Sequence, residues 1–338
     1  MEFNIHLFCN CSLKMNQPEN TRKYRGEDAE WPHQIPLKGW IDIGKRVYKE
    51  MNVDHVQIVS AGVAFYFFLS IFPTIVVAIS IYSLVLDPIQ IQEQLSRLTL
   101  ILPEQAYGMI TDILNPVINQ DRKEIGWGLL VSILVSIWSA NKGTSALFQG
   151  VNIAYDETDN RGLIKKNLLT LLFTLAGVVI GLISLLIVIF FPLLVKNIGL
   201  TPGLEDMLTW LRWVFLGIIL ISTLSMVYKI APNRSRPKFR WVSWGAILGT
   251  IFWLAGSMGF SWYVGNFGSY DDLYGSFAAV AILMLWLFLT AFIVLMGAEI
   301  NSEMEHQTRY DTTSGVQKPM GERNAWHADH CAVKDSDD

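Results

Sequence analysis

Six apolar runs, each long enough to cross a bilayer as a helix, punctuate this 338-residue chain and are separated by shorter polar stretches. The first, Ile58 to Leu86, carries no charge over its whole length. At about 1.5 Å rise per residue it exceeds the hydrocarbon thickness of about 30 Å, so it predicts a tilted or bent transmembrane helix. Pro73 lies near its middle, where the ring removes the hydrogen bond to the Leu69 carbonyl and predicts a kink. Five further runs fall at about 126–148, 168–195, 208–230, 241–265 and 273–298. The expected fold is therefore all-α and polytopic, with six transmembrane helices.

The polar stretches differ from one another. Residues 1–37 are Pro-punctuated and read as a tail without fixed structure, in which Met15 is an alternative start to Met1. No cleavable signal precedes the first run, since Met1 to Leu13 has no basic n-region. Over 38–57, Trp40, Ile43, Val47 and Met51 share a face from which Lys45, Arg46 and Lys49 are excluded. This is either a helix lying on the inner leaflet or a solvated helix leading into the first span. Between the first two spans, Ile91, Leu95, Leu98 and Leu102 and then Ala106, Ile110 and Leu114 predict a short helical outer segment, with Pro103 opening its second half. Residues 301–338 read as a second tail without fixed structure.

Charge chooses the orientation. Eight Lys and Arg precede the first span, three lie in 149–167, four in 231–240 and four in the C-terminal tail; only Arg97, Arg122, Lys123 and Lys196 lie in the intervening loops. Nineteen against four places both termini in the cytoplasm by the positive-inside rule. Hydrophobic residues at 51%, charged residues at 17%, a mean hydropathy of +0.34 and twelve Trp fit a polytopic membrane protein, and a net charge of −4 carries no nucleic-acid signature. Cys9, Cys11 and Cys331 all lie outside the apolar runs, so no disulfide framework is expected.

Candidate chemistry lies on two helix faces. In the first span Gly62, Tyr66, Ser70, Pro73 and Thr74 fall within an arc of roughly 120°, opposite Phe65, Phe68, Phe72, Ile75 and Ile79. Ser70 stands near the carbonyl that Pro73 leaves unpaired, a backbone role that competes with substrate contact. The second span carries a stripe of about 80° containing Gly128, Ser132, Ser136, Ser139, Gly143, Ala146 and Gly150. The cytoplasmic half of this helix also carries Asn141 and Lys142, and the helix continues into Gln149, Asn152 and Tyr155. Small residues of this kind serve close helix packing or line a cavity, and Lys142 either snorkels to the inner interface or faces such a cavity. Gly177–Gly181 and Gly245–Gly249 read first as packing motifs, and Glu299 as a solvated or Lys-paired carboxylate at the inner boundary. Arg212, between Trp210 and Trp213, is expected to snorkel, with Glu205 and Asp206 as candidate ion-pair partners.

Four stretches in order, AGVAFYFFLSIFP, WSANKGTSALFQGVNIAYDE, YKIAPNRSRPKFRWVSWGAILGT and GAEIN, resemble the YihY/BrkB family of bacterial inner-membrane proteins over roughly residues 37–303. The resemblance implies six helices in the inner membrane, and it carries the labels ribonuclease BN and virulence factor BrkB. Metal-dependent phosphodiester hydrolysis needs clustered His and carboxylate ligands. All six His lie outside the spans, and His327, Asp329, His330 and Cys331 fall in the expected tail, so no catalytic residue and no cofactor is assigned. The function expected is a transporter or flippase-like protein for an amphipathic or lipid substrate, with the cavity shared by the first two spans. The alternative is a non-catalytic scaffold in envelope biogenesis. Membrane lipids, a homo-oligomer or an envelope protein are the candidate partners.

Overall fold

The computed structural model describes residues 25–85, 122–197, 202–266 and 276–332. The outer segment between the first two spans and the first 24 residues lie outside these, as do the turn before the last span and the final six residues. After a 3-10 turn at Pro32–Gln34 come α1 (Leu37–Val53), α2 (Val56–Val85), α3 (Arg122–Ala154), α4 (Leu163–Asn197), α5 (Pro202–Ile230), α6 (Phe239–Asn266), α7 (Ser276–Gln307) and the short α8 (Trp326–Asp329). There are no strands among the described residues; one isolated bridge pairs Pro237 with Thr313.

Six of these helices have 28 residues or more, and they alternate in direction. The connections 155–162 and 231–238 meet residues 25–54 and 308–332 at one end: Arg161 reaches the carbonyls of Ile230, Ala231 and Pro232, Ser235 donates to Asn324, and Arg309 donates to Glu27. Among the described residues five helices are long and apolar enough to cross a membrane, over Val56–Ile75, Leu163–Pro192, Gly203–Ile230, Phe239–Asn266 and Ala278–Gln307. The second expected span, within α3, is not among the five. Side chains at 122–126 and 128 of that helix lie outside the described residues, and its 33 residues give ample length to cross a bilayer.

Exposed apolar side chains on α4 and α5 (Leu182, Leu185, Trp210, Phe215) are the lipid-facing surface such helices require. The densest packing lies toward the charged end. There Phe148, Val151, Tyr155, Tyr228, Val242, Ala246 and Leu295 form one core, and Ile43, Val47, Trp241 and Met304 form a second that docks α1 against α6 and α7. Trp40 and Met51 pack on that second core, so the face read from the sequence of α1 turns toward protein.

Glycine makes the α6–α7 crossing this close. A Cβ at Gly245 would collide with the Gly297 carbonyl and the Asn301 side chain, while Asn301 accepts from the Gly245 N–H at 2.8 Å and donates to the Val242 carbonyl at 3.1 Å. The two Gly-xxx-Gly motifs are thus not equivalent. Gly177 and Gly181 have nothing within 4 Å of where a Cβ would stand, so the packing expected of that pair is absent.

The last helix runs nine residues past the expected end at 298, and residues 308–332 pack where a tail without fixed structure was expected. The reason is partner-supplied polarity. Thr308 donates to the Ala29 carbonyl at 2.7 Å, Lys238 N–H donates to Thr312, and Arg323 donates to the carbonyls of Arg309, Tyr310 and Ala328. Buried polar groups satisfied in this way cost little to enclose.

Candidate membrane seam and the charged cluster at its end

α2 packs along α3, and the two stripes face each other in part. Thr74 and Ser136 hydroxyls meet at 2.6 Å, and Thr74 also donates back to the Ser70 carbonyl. Thr74 is exposed and Ser136 half-buried, so this hydroxyl pair stays open midway along α2. Ser70 is buried, and its hydroxyl donates to Phe67 rather than to the Leu69 carbonyl that Pro73 orphans. Tyr66 and Ser132 are half-buried, a Cβ at Gly62 would meet nothing within 4 Å, and Ser139 is buried. Closer to the charged end the stripe is filled by packing: Phe67 lies over Gly143, and Val59 and Leu295 close on Gly150. At these positions the small residues bring helices together.

Asn141 keeps a buried side-chain oxygen without a hydrogen-bond partner, and Lys142 is exposed with its ammonium 5.7 Å from the Trp138 ring centre. Asn152 serves the backbone, donating to Ala231 at 3.3 Å and accepting from the Asn233 N–H at 2.9 Å, and so fixes the turn after α5. Tyr155 is fully buried beneath the Arg234 guanidinium, 4.7 Å from its ring centre. Arg212 donates to the Val188 carbonyl at 3.2 Å and lies over the Trp213 ring, a contact to α4 in place of an acidic partner.

Glu299 differs from its expected state. It is 1% exposed, one carboxylate oxygen lacks a partner, and it sits beside Asp54 at the α1–α2 break instead of near a Lys or water. Burial pushes the Asp54 carboxyl up to about 6, helped by the charges of Asp156 and Glu50 and opposed by a hydrogen bond from Glu299 and by His55.

Around this pair lies a charged cluster that apolar periodicity could not locate. Arg234 and Glu305 form a buried ion pair at 2.7 Å, and Thr312 adds a hydroxyl to Glu305 at 2.8 Å. Arg46 on α1 bonds the Glu303 carboxylate, the Glu303 carbonyl at 3.2 Å and Gln307 at 2.7 Å. His327, almost fully buried, places Nε2 3.2 Å from Asp156, and burial holds its imidazole below its ordinary pKa against that carboxylate. Glu157 accepts from the Trp326 N–H at 2.8 Å, and burial pushes its carboxyl upward. Asp311 accepts from Thr313 and from the Lys318 N–H, and these bonds with Arg323 hold its carboxyl low against the opposing effect of burial. A polar cleft of about 480 Å³ opens here between Glu157, Asn160, Asn233, Arg234 and Asn324. The signals present in the sequence were the run RSRPKFR and the spacing Glu303-x-x-His306, which puts both side chains on one helix face.

An alternating bundle of long helices, five of them apolar enough to span a bilayer among the described residues, defines a polytopic helical membrane protein. Its family follows from comparison: the family described as virulence factor BrkB matches residues 47–320, and the chain belongs to it. A ribonuclease-like protein of Bacillus subtilis, YfkH, is 29% identical over 262 residues, covering 76% of this chain and 93% of that relative. A UPF0761 membrane protein of Haemophilus influenzae is 24% identical over 277 residues, 80% of this chain and 97% of the relative. Another from Pasteurella multocida is 26% identical over 215 residues, 60% of this chain and 62% of its own length. No solved structure matches the chain. The names of the UPF0761 relatives describe membrane proteins, and neither they nor the family name states a reaction; the ribonuclease-like name belongs to a relative at 29% identity.

Proposed function

We propose that the protein gives an amphipathic lipid a path along the α2–α3 seam of the bacterial inner membrane, with the charged end in the cytoplasm. The observation that carries this reading is the Thr74–Ser136 hydroxyl pair, 2.6 Å apart and open at membrane depth. Hydroxyls that serve packing alone are normally enclosed between helices, because lipid tails offer them no partner. Ile75 and Val135, next in sequence to the two hydroxyl residues, are exposed, so the pair stands among apolar surface open to acyl chains. The unpartnered Asn141 oxygen and exposed Lys142 continue the polar track toward the basic end, and Lys142 suits an anionic headgroup. The Lys and Arg distribution supports the orientation.

The test is reconstitution of the purified protein in vesicles containing a fluorescently labelled phospholipid. Wild type accelerates transbilayer movement, and the Thr74→Val, Ser136→Ala double variant lowers the rate while remaining folded. Rates equal to protein-free vesicles across anionic and zwitterionic lipids overturn the reading. The scaffold alternative then stands, and it requires a membrane protein that co-purifies with the chain.

A further inference from the structure

We propose that Glu303, His306 and His327 form a binding site for a divalent first-row transition cation of the zinc class, which ties the C-terminal segment to the end of the last membrane helix. Glu303 and His306 lie one turn apart at the end of α7, and His327 arrives from α8. One ligating atom from each of the three lies within 4.8 Å of the other two. Tetrahedral ligands at about 2.0–2.1 Å from zinc stand about 3.3 Å from one another, so modest side-chain rotation closes the set.

The imidazoles are arranged as ligands are. His327 is 2% exposed; its Nε2 faces Asp156 at 3.2 Å, while its buried Nδ1 has no hydrogen-bond partner. A carboxylate on one ring nitrogen with the other left free is the arrangement that fixes the tautomer and orients a metal-binding histidine. His306 shares only the unbonded buried nitrogen. Its Nδ1 is buried without a hydrogen bond, 3.6 Å from the nearer Glu303 oxygen.

An ordinary ion pair between His306 and Glu303 accounts for less. It leaves the buried His327 nitrogen without a partner, and Glu303 already has a cationic partner in Arg46. With a divalent ion, Arg46 becomes the group that orients the carboxylate, and Asp156 and Glu303 together offset the added charge. Trp326 walls the site, its ring edge-on to His327 at 4.8 Å and to His306 at 5.6 Å. Two imidazoles and one carboxylate are a donor set suited to Zn²⁺ or Co²⁺ and poor for Ca²⁺ or Mg²⁺, which take oxygen ligands.

The experiment uses full-length protein in detergent, purified without a polyhistidine tag and washed with chelator, then titrated with Co²⁺. The expected result is a visible tetrahedral-type absorption saturating at one equivalent per chain and bleached by Zn²⁺, with Zn²⁺ raising Tm. His306→Ala, whose side chain is partly exposed, abolishes the signal without changing helix content. Asp156→Asn retains the site but weakens it about 10–100-fold, as loss of an orienting partner does. Absence of the absorption, or equal binding by the His306→Ala, His327→Ala double variant, overturns the proposal. Should the double variant not fold, unchanged Co²⁺ binding by His306→Ala alone does the same.

Discussion

Arg234 and Glu305 meet at 2.7 Å with side chains 1% and 0% exposed, one from the α5–α6 connection and the other from the last turns of α7. Each neutralises a charge that neither water nor lipid reaches, and the Tyr155 ring and Thr312 hydroxyl complete the enclosure. Removing one partner strands the other. Arg234→Met is therefore expected to cost about 3–5 kcal/mol, read as a lower melting temperature in detergent. The Arg234→Met, Glu305→Met double variant is expected to recover most of that loss, because an apolar pair leaves no charge to compensate.

The two glycine motifs give a paired prediction. Gly245→Ala forces a methyl group into the Gly297 carbonyl and is expected to destabilise by about 1–3 kcal/mol. Gly177→Ala meets open space, and its melting temperature is expected to stay within error of wild type. Thermal unfolding of the two variants side by side checks both.

Asp54 predicts a pH dependence. Its carboxyl sits at about 6 in the fold against 3.8 as the ordinary value, so the native state binds more protons between those limits. Stability is then highest at the acid side of this window and falls as pH rises from about 4 to about 6. Allowing for solvent screening at a half-buried position, the loss is about 1–2 kcal/mol. Asp54→Asn is expected to flatten this window in melting curves taken across pH, with Glu50, His55, Asp156 and Glu299 as the remaining neighbours.

Arg161 closes the C-terminal end of α5, donating to the carbonyls of Ile230 at 3.2 Å, Ala231 at 3.0 Å and Pro232 at 2.7 Å. A cation there satisfies orphan carbonyls and complements the helix dipole. Arg161→Ala is expected to cost about 1–3 kcal/mol and to raise amide hydrogen exchange around residues 231–235 before other regions respond.

The apolar runs made the helical class legible, since a bilayer demands long uncharged stretches and few other folds produce them. The Thr74–Ser136 contact was legible in part: angular position put each residue on its stripe, but pairing depends on how two helices are rotated against each other. The charged cluster was not legible. Arg46 and Glu303 are 257 residues apart, and nothing in the local sequence of either names the other. Glu299, Glu303 and Glu305 thus looked like a helix dissolving into water, when their partners come from α1, the α1–α2 break and the α5–α6 connection. Arg323 was not legible either, because its hydrogen-bond acceptors at Arg309, Tyr310 and Ala328 are backbone carbonyls, which carry no sequence signature.

The joining of the two chain ends also sets an order of events during synthesis. Gln307 donates to the Arg25 carbonyl across 282 residues, and Arg46 waits across 257 for Glu303. While the ribosome is still making the first five long helices, Arg46 and Arg234 have none of their α7 partners. The charged end therefore locks only after the final helix has entered the membrane, and a nascent chain halted before Glu303 carries its basic groups unclosed.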